Sequence, residues 1–382
     1  MPDARTDILG PATPADATYA RVAELPLRID RCELVPLVRD TTSGFTKVSI
    51  VVRLTGGGHE GEGEDITWDQ IDQIEQLRRA GDLSWLRGRR TLDEFSTLLG
   101  MADLFPVEPI RESARDYRQW AFESAALDLA LRQSGLSLQD ALGREARPMT
   151  FVVSTRIADA AGLASLRALR RTDPALRFKL DPVASWDDEL LAGLASLAAV
   201  DVVDMKGLYR NATVAMEPDP DLYRRVFAAL PEALIEDPAM ADDTMELLER
   251  NRDRITWDVP IGSVGDIEAL PWPPRSLNLK PARFRSIRRL FATYDHCEAR
   301  GIRAYGGGMF EQGPGRGQLQ YLASLFHPDG PNDLAPTAYN VPTLAGTRPR
   351  SPLPPEPHAT GFRWGTYDAR RSIRERRGGP AG

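Results

Sequence analysis

The feature that most constrains the fold is an alternation of short β-branched segments with helical segments between residues 149 and 308. Each short segment predicts a buried strand, and the stretches between them have the apolar spacing of helices. Seven such units predict a parallel sheet, and their number favours a closed (β/α) barrel over an open, doubly wound sheet. No GxGxxG loop follows a predicted strand, which also argues against a dinucleotide-binding fold. The predicted strands are residues 149–157, 176–181, 200–206, 233–237, 255–259, 276–280 and 302–308.

The region before the barrel has its elements in a different order. Residues 27–55 alternate as strands do, and residues 68–143 have a helical pattern. Between them, the segment GGGHEGEGED (56–65) is so rich in glycine that it predicts a turn or loop, not the interior of a strand. Strands followed by helices are typical of an α+β domain, so we expect two structural units in this chain.

Composition excludes several classes of function. The chain has 48 Lys and Arg against 55 Asp and Glu, a net charge of -7, which argues against binding nucleic acid through phosphate contacts. No run of about 18 apolar residues is present, so we expect no membrane span. The N-terminal residues contain no apolar secretory segment. The two cysteines, Cys32 and Cys297, form neither a zinc motif nor a disulfide framework, and a cytoplasmic location is the simplest expectation.

Ionisable residues stand at the ends of several predicted strands. In a parallel barrel these ends open into one shared mouth, where active sites form. Charges of both signs are costly to bury together unless a metal or a substrate organises them. The strand-end residues are Lys179, Asp181, Asp204, Lys206, Glu236, Asp237, Asp258 and Lys280.

Three of these residues suit a divalent metal. Asp204, Glu236 and Asp258 come from three successive strands, and convergent carboxylates are ligands that Mg²⁺ prefers. Taken one at a time, each could instead cap the helix that follows it. Lys179 and Lys280 lie on either side of this set in strand order, and a desolvated lysine can act as a base near neutral pH. A divalent cation would offset the charge that forms when a proton is taken from beside a carboxylate.

Several segments, in this order and spacing, resemble the enolase superfamily, and within it the muconate lactonising enzyme branch. That branch includes o-succinylbenzoate synthase, muconate cycloisomerase, dipeptide epimerase and N-acylamino acid racemase. The resemblance extends from about residue 28 to about residue 340. The segments that carry it are VVRLTGGGHEGEGED, FESAALDLALRQSGLSLQDALGR, FKLD, DMKGLY, IEDP, ITWDVPIGS, LNLKPARF and YGGGMFEQGPGRGQLQYLA.

The resemblance implies a modified (β/α)7β TIM-type barrel with an α+β capping domain. It implies a site that holds Mg²⁺ or Mn²⁺ through Asp204, Glu236 and Asp258, with Lys179, Lys280 and Asp181 as catalytic residues and Lys206 and Glu311 at the substrate. The substrate is expected to be a small carboxylate, and the protein to be a homo-oligomer. Specificity is expected in the cap segments DTTSGFTKVS and GGGHEGEGED. The expected divisions are a loose arm (1–20), the cap (21–147), the barrel (148–335) and a segment returning toward the cap with a basic tail (336–382).

The departures from the family pattern concern the chemistry directly. Asp181 stands where the second lysine of a Lys-x-Lys pair is expected, Lys206 stands where an asparagine is expected, and Val259 follows Asp258 in place of a glutamate. We interpret the first two as compensating changes in which Asp181 and Lys206 pair, or in which Lys206 supplies the lost positive charge from a neighbouring strand. Drift in a site that has lost its reaction is the alternative.

Three functions are compatible with this sequence. The first is a metal-dependent lyase or cycloisomerase that removes the α-proton of a carboxylate to form a metal-stabilised enolate. The second is a racemase or epimerase of an amino-acid derivative or dipeptide, which requires acid–base groups on both faces of the α-carbon. The third is a non-catalytic relative that keeps the fold alone.

Overall fold

The computed structural model describes residues 16–209, 217–341 and 348–365. The helices are α1 Ala17–Ala23, α2 Gln70–Arg79, α3 Leu92–Gly100, α4 Ser113–Gln133, α5 Leu138–Leu142, α6 Ala160–Thr172, α7 Asp188–Leu197, α8 Pro220–Ala229, α9 Asp242–Arg250, α10 Val264–Glu268, α11 Ile287–Arg300, α12 Pro314–Phe326 and α13 Thr337–Asn340. The strands are β1 Pro26–Ile29, β2 Arg31–Asp40, β3 Thr46–Gly56, β4 His59–Asp65, β5 Gly88–Thr91, β6 Val152–Arg156, β7 Arg177–Asp181, β8 Val200–Asp204, β9 Leu234–Glu236, β10 Ile255–Thr256, β11 Ser276–Leu279 and β12 Arg303–Gly306.

The barrel predicted from the βα alternation is present, and it is closed. Strands β6 to β10 form one parallel sheet in chain order, and β11 and β12 form a parallel pair. The Asn278 amide of β11 donates to the Trp257 carbonyl oxygen just after β10 at 3.0 Å, which joins the two sheets. On the other side, residues 332–333 bridge to Phe151 and Gly307, so a two-residue segment serves as the eighth strand position.

The side chain of Asn332 stabilises this short closing segment. It is fully buried, and its Oδ1 accepts hydrogen bonds from the Gly306 amide at 2.6 Å and from His327 Nδ1 at 2.7 Å. Its Nδ2 donates to the carbonyl oxygens of Thr150, His327 and Gly330 at 2.9 to 3.1 Å. One amide side chain therefore connects the first barrel strand, the last one and the loop between them.

The segment rich in glycine is a strand, which corrects the sequence-based expectation of a loop over residues 56–65. Residues His59–Asp65 form β4, which pairs antiparallel with β3, and only Gly57 and Gly58 make the turn, with φ of 57° and 82°. Strand β4 packs directly on the backbone of α4. A Cβ on Gly61 would lie 2.3 Å from the Ala125 carbonyl oxygen, and one on Gly63 would lie 2.1 Å from that of Ala121. The glycines therefore allow a helix to approach the strand closely, and they do not mark a specificity loop.

The capping unit is an α+β arrangement, as predicted. Strands β2, β3 and β4 form an antiparallel sheet covered by α4, and β1 pairs with β5, a strand that the sequence pattern did not predict. Apolar residues of α4, such as Leu127 and Leu131, are buried in a core cluster that extends into the barrel. The cap and the barrel therefore share one continuous hydrophobic core.

The two ends of the described chain both contact the body of the protein. Residues 17–20, expected within a loose arm, belong to α1, where the Thr18 amide donates to the Asp295 carboxylate at 2.9 Å. Near the other end, the Phe362 amide and the Arg363 guanidinium both donate to Asp128 on α4. Residues 1–15 of the predicted arm and the basic RRSIRERR tail lie outside the described residues. Within the described ranges, no helix is both long and apolar enough to cross a bilayer.

Candidate functional site

The ends of β7, β8 and β9 bring together three of the predicted site residues. Lys179 lies on β7 between the buried residues Phe178 and Leu180, and its side chain is 1% exposed. Its Nζ lies 2.5 Å from Glu236 Oε1 and 3.2 Å from Asp204 Oδ2. Asp204 and Glu236 are themselves register partners across β8 and β9. The predicted convergence of strand-end charges therefore produces a buried lysine between two buried carboxylates.

Asp258 lies beside this group with a separate set of cations. Its Oδ2 is 2.8 Å from Lys280 Nζ and 3.3 Å from the Arg283 guanidinium, and it accepts from the Tyr209 hydroxyl at 3.2 Å. Burial alone would raise the pKa of Asp258, but Arg283 and Lys280 outweigh it and lower the pKa to about 2. Asp258 is therefore ionised at neutral pH although it is fully buried.

Arg283 was not predicted as a site residue. It follows Lys280 by three positions in a short 3-10 turn, Pro281–Phe284. Residues three apart lie on the same side of such a turn, so Lys280 and Arg283 both reach Asp258. The spacing in LKPAR, with proline at the first position of the turn, is the sequence signal that could have identified this residue.

Two further neighbours, which the sequence pattern does not predict, orient Glu236. The Tyr305 hydroxyl donates to Glu236 Oε2 at 2.6 Å, and Asn278 Nδ2 donates to Oε1 at 3.1 Å. Burial raises the pKa of Glu236 to about 7, although the positive charge of Lys179 opposes that rise. Tyr305 and Asn278 lie on β12 and β11 and point into the barrel interior, where an unpaired carboxylate would be costly.

A further carboxylate, Asp237, lies next to Glu236. Oxygen atoms of Asp204, Glu236 and Asp237 can be chosen so that all lie within 4.8 Å of one another, a grouping able to hold a metal ion. Asp237 has a left-handed backbone, with φ of 46°, and its carboxylate accepts from the amides of Asp258 and Val259 at 2.9 and 3.0 Å. It therefore holds the start of the loop that carries Asp258 and is a second candidate for the third ligand.

Lys206 contacts Asp204 more closely than it contacts Asp181. Its backbone amide donates to Asp204 Oδ1 at 3.2 Å, and its ammonium group donates to Asp204 Oδ2. Asp181 Oδ1 lies 3.5 Å from the same ammonium group. Burial raises the pKa of Asp181, and the charge of Lys206 opposes this effect. The two residues that depart from the family pattern are thus neighbours, and Asp204 lies against the same ammonium group.

Glu311 lies in the loop after β12, where the barrel meets the cap. Its carboxylate accepts from the Met309 amide at 2.9 Å and lies 3.6 Å from the Arg316 guanidinium. The amides of Gln312 and Gly313 donate to Glu64 of β4, which fixes this loop to the cap. These contacts support a structural role for Glu311 at the seam, and its expected contact with substrate stays a prediction.

Aromatic side chains from the cap and the barrel meet at the same seam. Phe45, from the predicted specificity segment DTTSGFTKVS, lies with its ring centroid 5.2 Å from that of Phe310 and 5.7 Å from that of Trp68. Lys47 is buried beneath them, with Nζ 4.8 Å from the centre of the Trp68 ring. Burial lowers the pKa of Lys47 to about 8.

The donor set at the mouth fits a hard divalent cation. Asp204, Glu236 and Asp237, whose oxygens can lie within 4.8 Å of one another, are all fully buried and offer only oxygen atoms. The predicted ligand Asp258 is also fully buried but is not part of this grouping. In the described part of the chain, Asp258 Oδ1, Asp181 Oδ1 and Asn278 Oδ1 are buried without a hydrogen-bond partner. Buried polar atoms without partners are unfavourable, so these oxygens indicate that the mouth is completed by a ligand.

Comparison with solved structures identifies the class of fold. The structure of an enolase-superfamily member from Listeria innocua superposes with a TM-score of 0.68 at 18% identity, over 91% of this chain and 96% of that one. A dipeptide epimerase from Methylococcus capsulatus, solved in complex with a Mg ion, superposes with a TM-score of 0.62 at 22% identity, over 80% and 89%. The expected fold, a TIM-type barrel with an α+β cap as in the enolase superfamily, is confirmed.

Sequence comparison then gives the family. The chain belongs to the family described as a domain of unknown function, DUF8230, whose N-terminal domain matches residues 20–141 and whose C-terminal domain matches residues 145–341. It is 28% identical over 341 residues to the N-succinylamino acid racemase of Thermus thermophilus, covering 84% of this chain and 85% of that protein. It is 26% identical over 223 residues to the o-succinylbenzoate synthase of Bacillus subtilis, covering 56% and 57%. Both relatives are enzymes of the expected lyase or isomerase class.

Proposed function

We propose that this protein is a lyase or cycloisomerase that requires Mg²⁺ or Mn²⁺ and removes the α-proton of a small carboxylate. The observation that carries the proposal is the convergence of buried lysines and carboxylates at the barrel mouth, with Lys179 Nζ 2.5 Å from Glu236 and Lys280 Nζ 2.8 Å from Asp258. Asp204 and Glu236 would hold the cation together with Asp258, or with Asp237 in its place. The bound cation would offset the negative charge that develops on the carboxylate oxygens of the substrate when the α-carbon loses its proton.

Lys280 is the residue that we propose moves the proton. Burial alone would lower the pKa of Lys280, but Asp258 outweighs it and raises the pKa, so Lys280 Nζ is protonated while it pairs with this carboxylate. It can accept a proton only when this ion pair is broken, as it would be if a divalent cation bound Asp258. Such an arrangement would make proton abstraction depend on a completed site.

Elimination or cycloisomerisation requires only one such amine. On the opposite side of the family site, Asp181 takes the place of the second lysine, and its carboxylate lies 3.5 Å from Lys206 and 3.9 Å from Arg156. A racemase or epimerase needs a proton donor and acceptor on both faces. This alternative has the support of the relative named N-succinylamino acid racemase. Loss of catalysis is the other alternative, and its support is that both Lys206 and Lys179 contact Asp204.

Metal binding is the first experiment. Calorimetry should detect binding of Mg²⁺ or Mn²⁺ to the wild type and little or none to Glu236→Gln, because the amide removes the charge of a central ligand. Glu298→Gln, on the exposed outer face of α11, is the matched control and should bind as the wild type does. Equal binding by the wild type and Glu236→Gln would contradict the assignment of Glu236 as a ligand.

The reaction is tested by proton exchange. Wild type and Lys280→Met are incubated with a set of α-branched carboxylates in deuterated water with Mn²⁺ or Mg²⁺, and the α-proton signal is followed by NMR. Loss of the signal with formation of an unsaturated or cyclised product supports the proposal, and exchange without net product supports the racemase. Metal binding without any exchange across the set would favour the non-catalytic relative.

We also infer that the protein is a homo-oligomer. Helix α2 buries Asp72, Gln73 and Gln76 and exposes apolar residues, with Ile71 at 64% and Ile74 at 38%. Exposed apolar faces of this kind mark surfaces for association. Sedimentation of the wild type and of Ile71→Lys/Ile74→Lys should give a smaller species for the variant. A monomeric wild type would refute the inference.

A further inference from the structure

We propose that the ammonium group of Lys206 neutralises Asp204 and occupies part of the cation site until a divalent cation binds. The Lys206 side chain then moves, so that its ammonium group pairs with Asp181 instead. The proposal rests on the metal site proposed above. Lys206 and Asp181, the two residues that depart from the family pattern, would then together set the affinity of the site for the cation.

Lys206 binds the carboxylate of Asp204, a proposed ligand of the cation. Its amide and its ammonium group engage both oxygens of Asp204, and Lys179 Nζ lies 3.2 Å from the same Oδ2. A Mg²⁺ ion binds a carboxylate oxygen at about 2.1 Å. An ammonium group hydrogen-bonded to that oxygen would be in direct repulsion with the ion. The ammonium group of Lys206 must therefore move before Asp204 can become a ligand.

Asp181 is the residue to which the ammonium group of Lys206 would move. Asp181 Oδ1 lies 3.5 Å from Lys206 Nζ, and this buried oxygen accepts no hydrogen bond in the ranges that the structure describes. A shift of about 1 Å would make a hydrogen bond of ordinary length, and the long lysine side chain allows it without backbone movement. The Tyr209 ring, 4.9 Å from Nζ, would stay close to the cation.

The positive charge of Lys206 cannot leave the barrel mouth easily. The Lys206 side chain is only 12% exposed, so its ammonium group has little access to water once it leaves Asp204. Without Asp181 it would lie in the mouth beside the incoming cation. Asp181 therefore lowers the cost of binding, whereas Lys206 raises it.

These opposite effects give a double-mutant cycle on metal affinity, measured by calorimetry with Mg²⁺ or Mn²⁺ on the whole protein. Lys206→Asn should bind about tenfold more tightly than the wild type, and Asp181→Asn about tenfold more weakly. In the Lys206→Asn background the Asp181→Asn effect should shrink to less than about threefold, because no displaced ammonium group remains. Asparagine tolerates the left-handed backbone of Lys206, where φ is 53°, so this variant should fold.

Arg156→Gln is the control for a simple change of charge. Arg156 lies 3.9 Å from Asp181, its side chain is 47% exposed, and it makes no contact with Asp204 among the described residues. It should change the affinity less than about twofold. An equal gain in Arg156→Gln and Lys206→Asn, or strictly additive effects of the two site substitutions, would overturn the proposal.

The remaining outcomes separate this inference from the proposed function. Equal affinity of the wild type and Lys206→Asn refutes the counter-ion but leaves the metal site intact. Binding by Lys206→Asn alone supports the counter-ion and overturns a metal-dependent wild type. The absence of binding in every variant refutes both. Each comparison is repeated with Lys206→Gln in place of Lys206→Asn. Thermal unfolding without metal verifies that all variants are folded.

Discussion

Replacement of Asn332 by leucine should destabilise the barrel more than its position in a short loop segment suggests. The asparagine side chain closes the ring between β12 and β6 and is fully buried. Leucine has a similar volume, so the main consequence is the loss of hydrogen bonds and not a cavity. The change therefore tests whether this side chain completes the barrel.

The magnitude follows from the groups left without partners. Two buried donors, the Gly306 amide and His327 Nδ1, lose the Asn332 oxygen that they contact at 2.6 and 2.7 Å. A buried donor without a partner costs about 1–3 kcal/mol, so the pair costs about 2–6 kcal/mol. The three carbonyl oxygens that lose Nδ2 add to this cost, and the apolar leucine side chain offsets about 1–2 kcal/mol. We expect a loss of about 3–4 kcal/mol.

Urea unfolding followed by circular dichroism measures this loss. Asn251→Leu is the matched control, since Asn251 is half-buried and its Nδ2 donates only to the Leu247 carbonyl oxygen within the described structure. It should lose about 1 kcal/mol or less. A loss below about 1 kcal/mol for Asn332→Leu, or equal losses for the two variants, would refute the view that Asn332 closes the barrel.

Three further predictions concern stability and can be measured by the same unfolding assay. Burial lowers the pKa of His327 to about 4; the unfolded chain, with a histidine pKa near 6.5, then binds a proton that the native state excludes. The stability of the wild type relative to His327→Gln should fall by about 3 kcal/mol as pH decreases from about 6.5 to 4, and equal pH profiles for the two proteins would contradict this. Gly63→Ala should cost about 3 kcal/mol or more because its Cβ would lie 2.1 Å from the Ala121 oxygen, whereas Gly100→Ala, with open space around it, should be nearly neutral. Arg118→Met should cost about 3–5 kcal/mol because it leaves the buried Asp65 carboxylate, 2.7 Å away, without its cation; addition of Asp65→Leu should recover part of that loss, and a cost below about 1 kcal/mol would contradict the assignment.

The barrel and the main charged residues of its mouth could be predicted from the sequence because both depend on local patterns. Alternation of strand and helix predicts a parallel barrel, and residues at the carboxyl ends of parallel strands share one edge. Lys179, Asp204 and Glu236 were found in this way, and their charged atoms lie within hydrogen-bonding distance. This prediction needs only the order of residues and elements along the chain, and it needs no contact between distant elements.

The residues that orient these charges depend on contacts across the fold. Tyr305 reaches Glu236 from a strand 69 positions later, and no local pattern distinguishes it from an ordinary core tyrosine. Asp237 differs from a helix-capping residue only through its bonds to the amides of residues 258 and 259. Whether Asp237 or Asp258 suits the third ligand position is therefore a matter of spatial arrangement.

The strand rich in glycine shows the limit of local reasoning most clearly. Taken alone, HEGEGED has the composition of a loop, since glycine costs conformational entropy and buries no side chain. In the fold, the absence of Cβ atoms lets α4 lie directly on β4, and packing against that helix offsets the entropic cost. The sequence by itself determined which residues end the barrel strands, because that follows from periodicity along the chain. Only the tertiary structure decided which residues approach one another from distant segments, because such contacts depend on how whole elements pack.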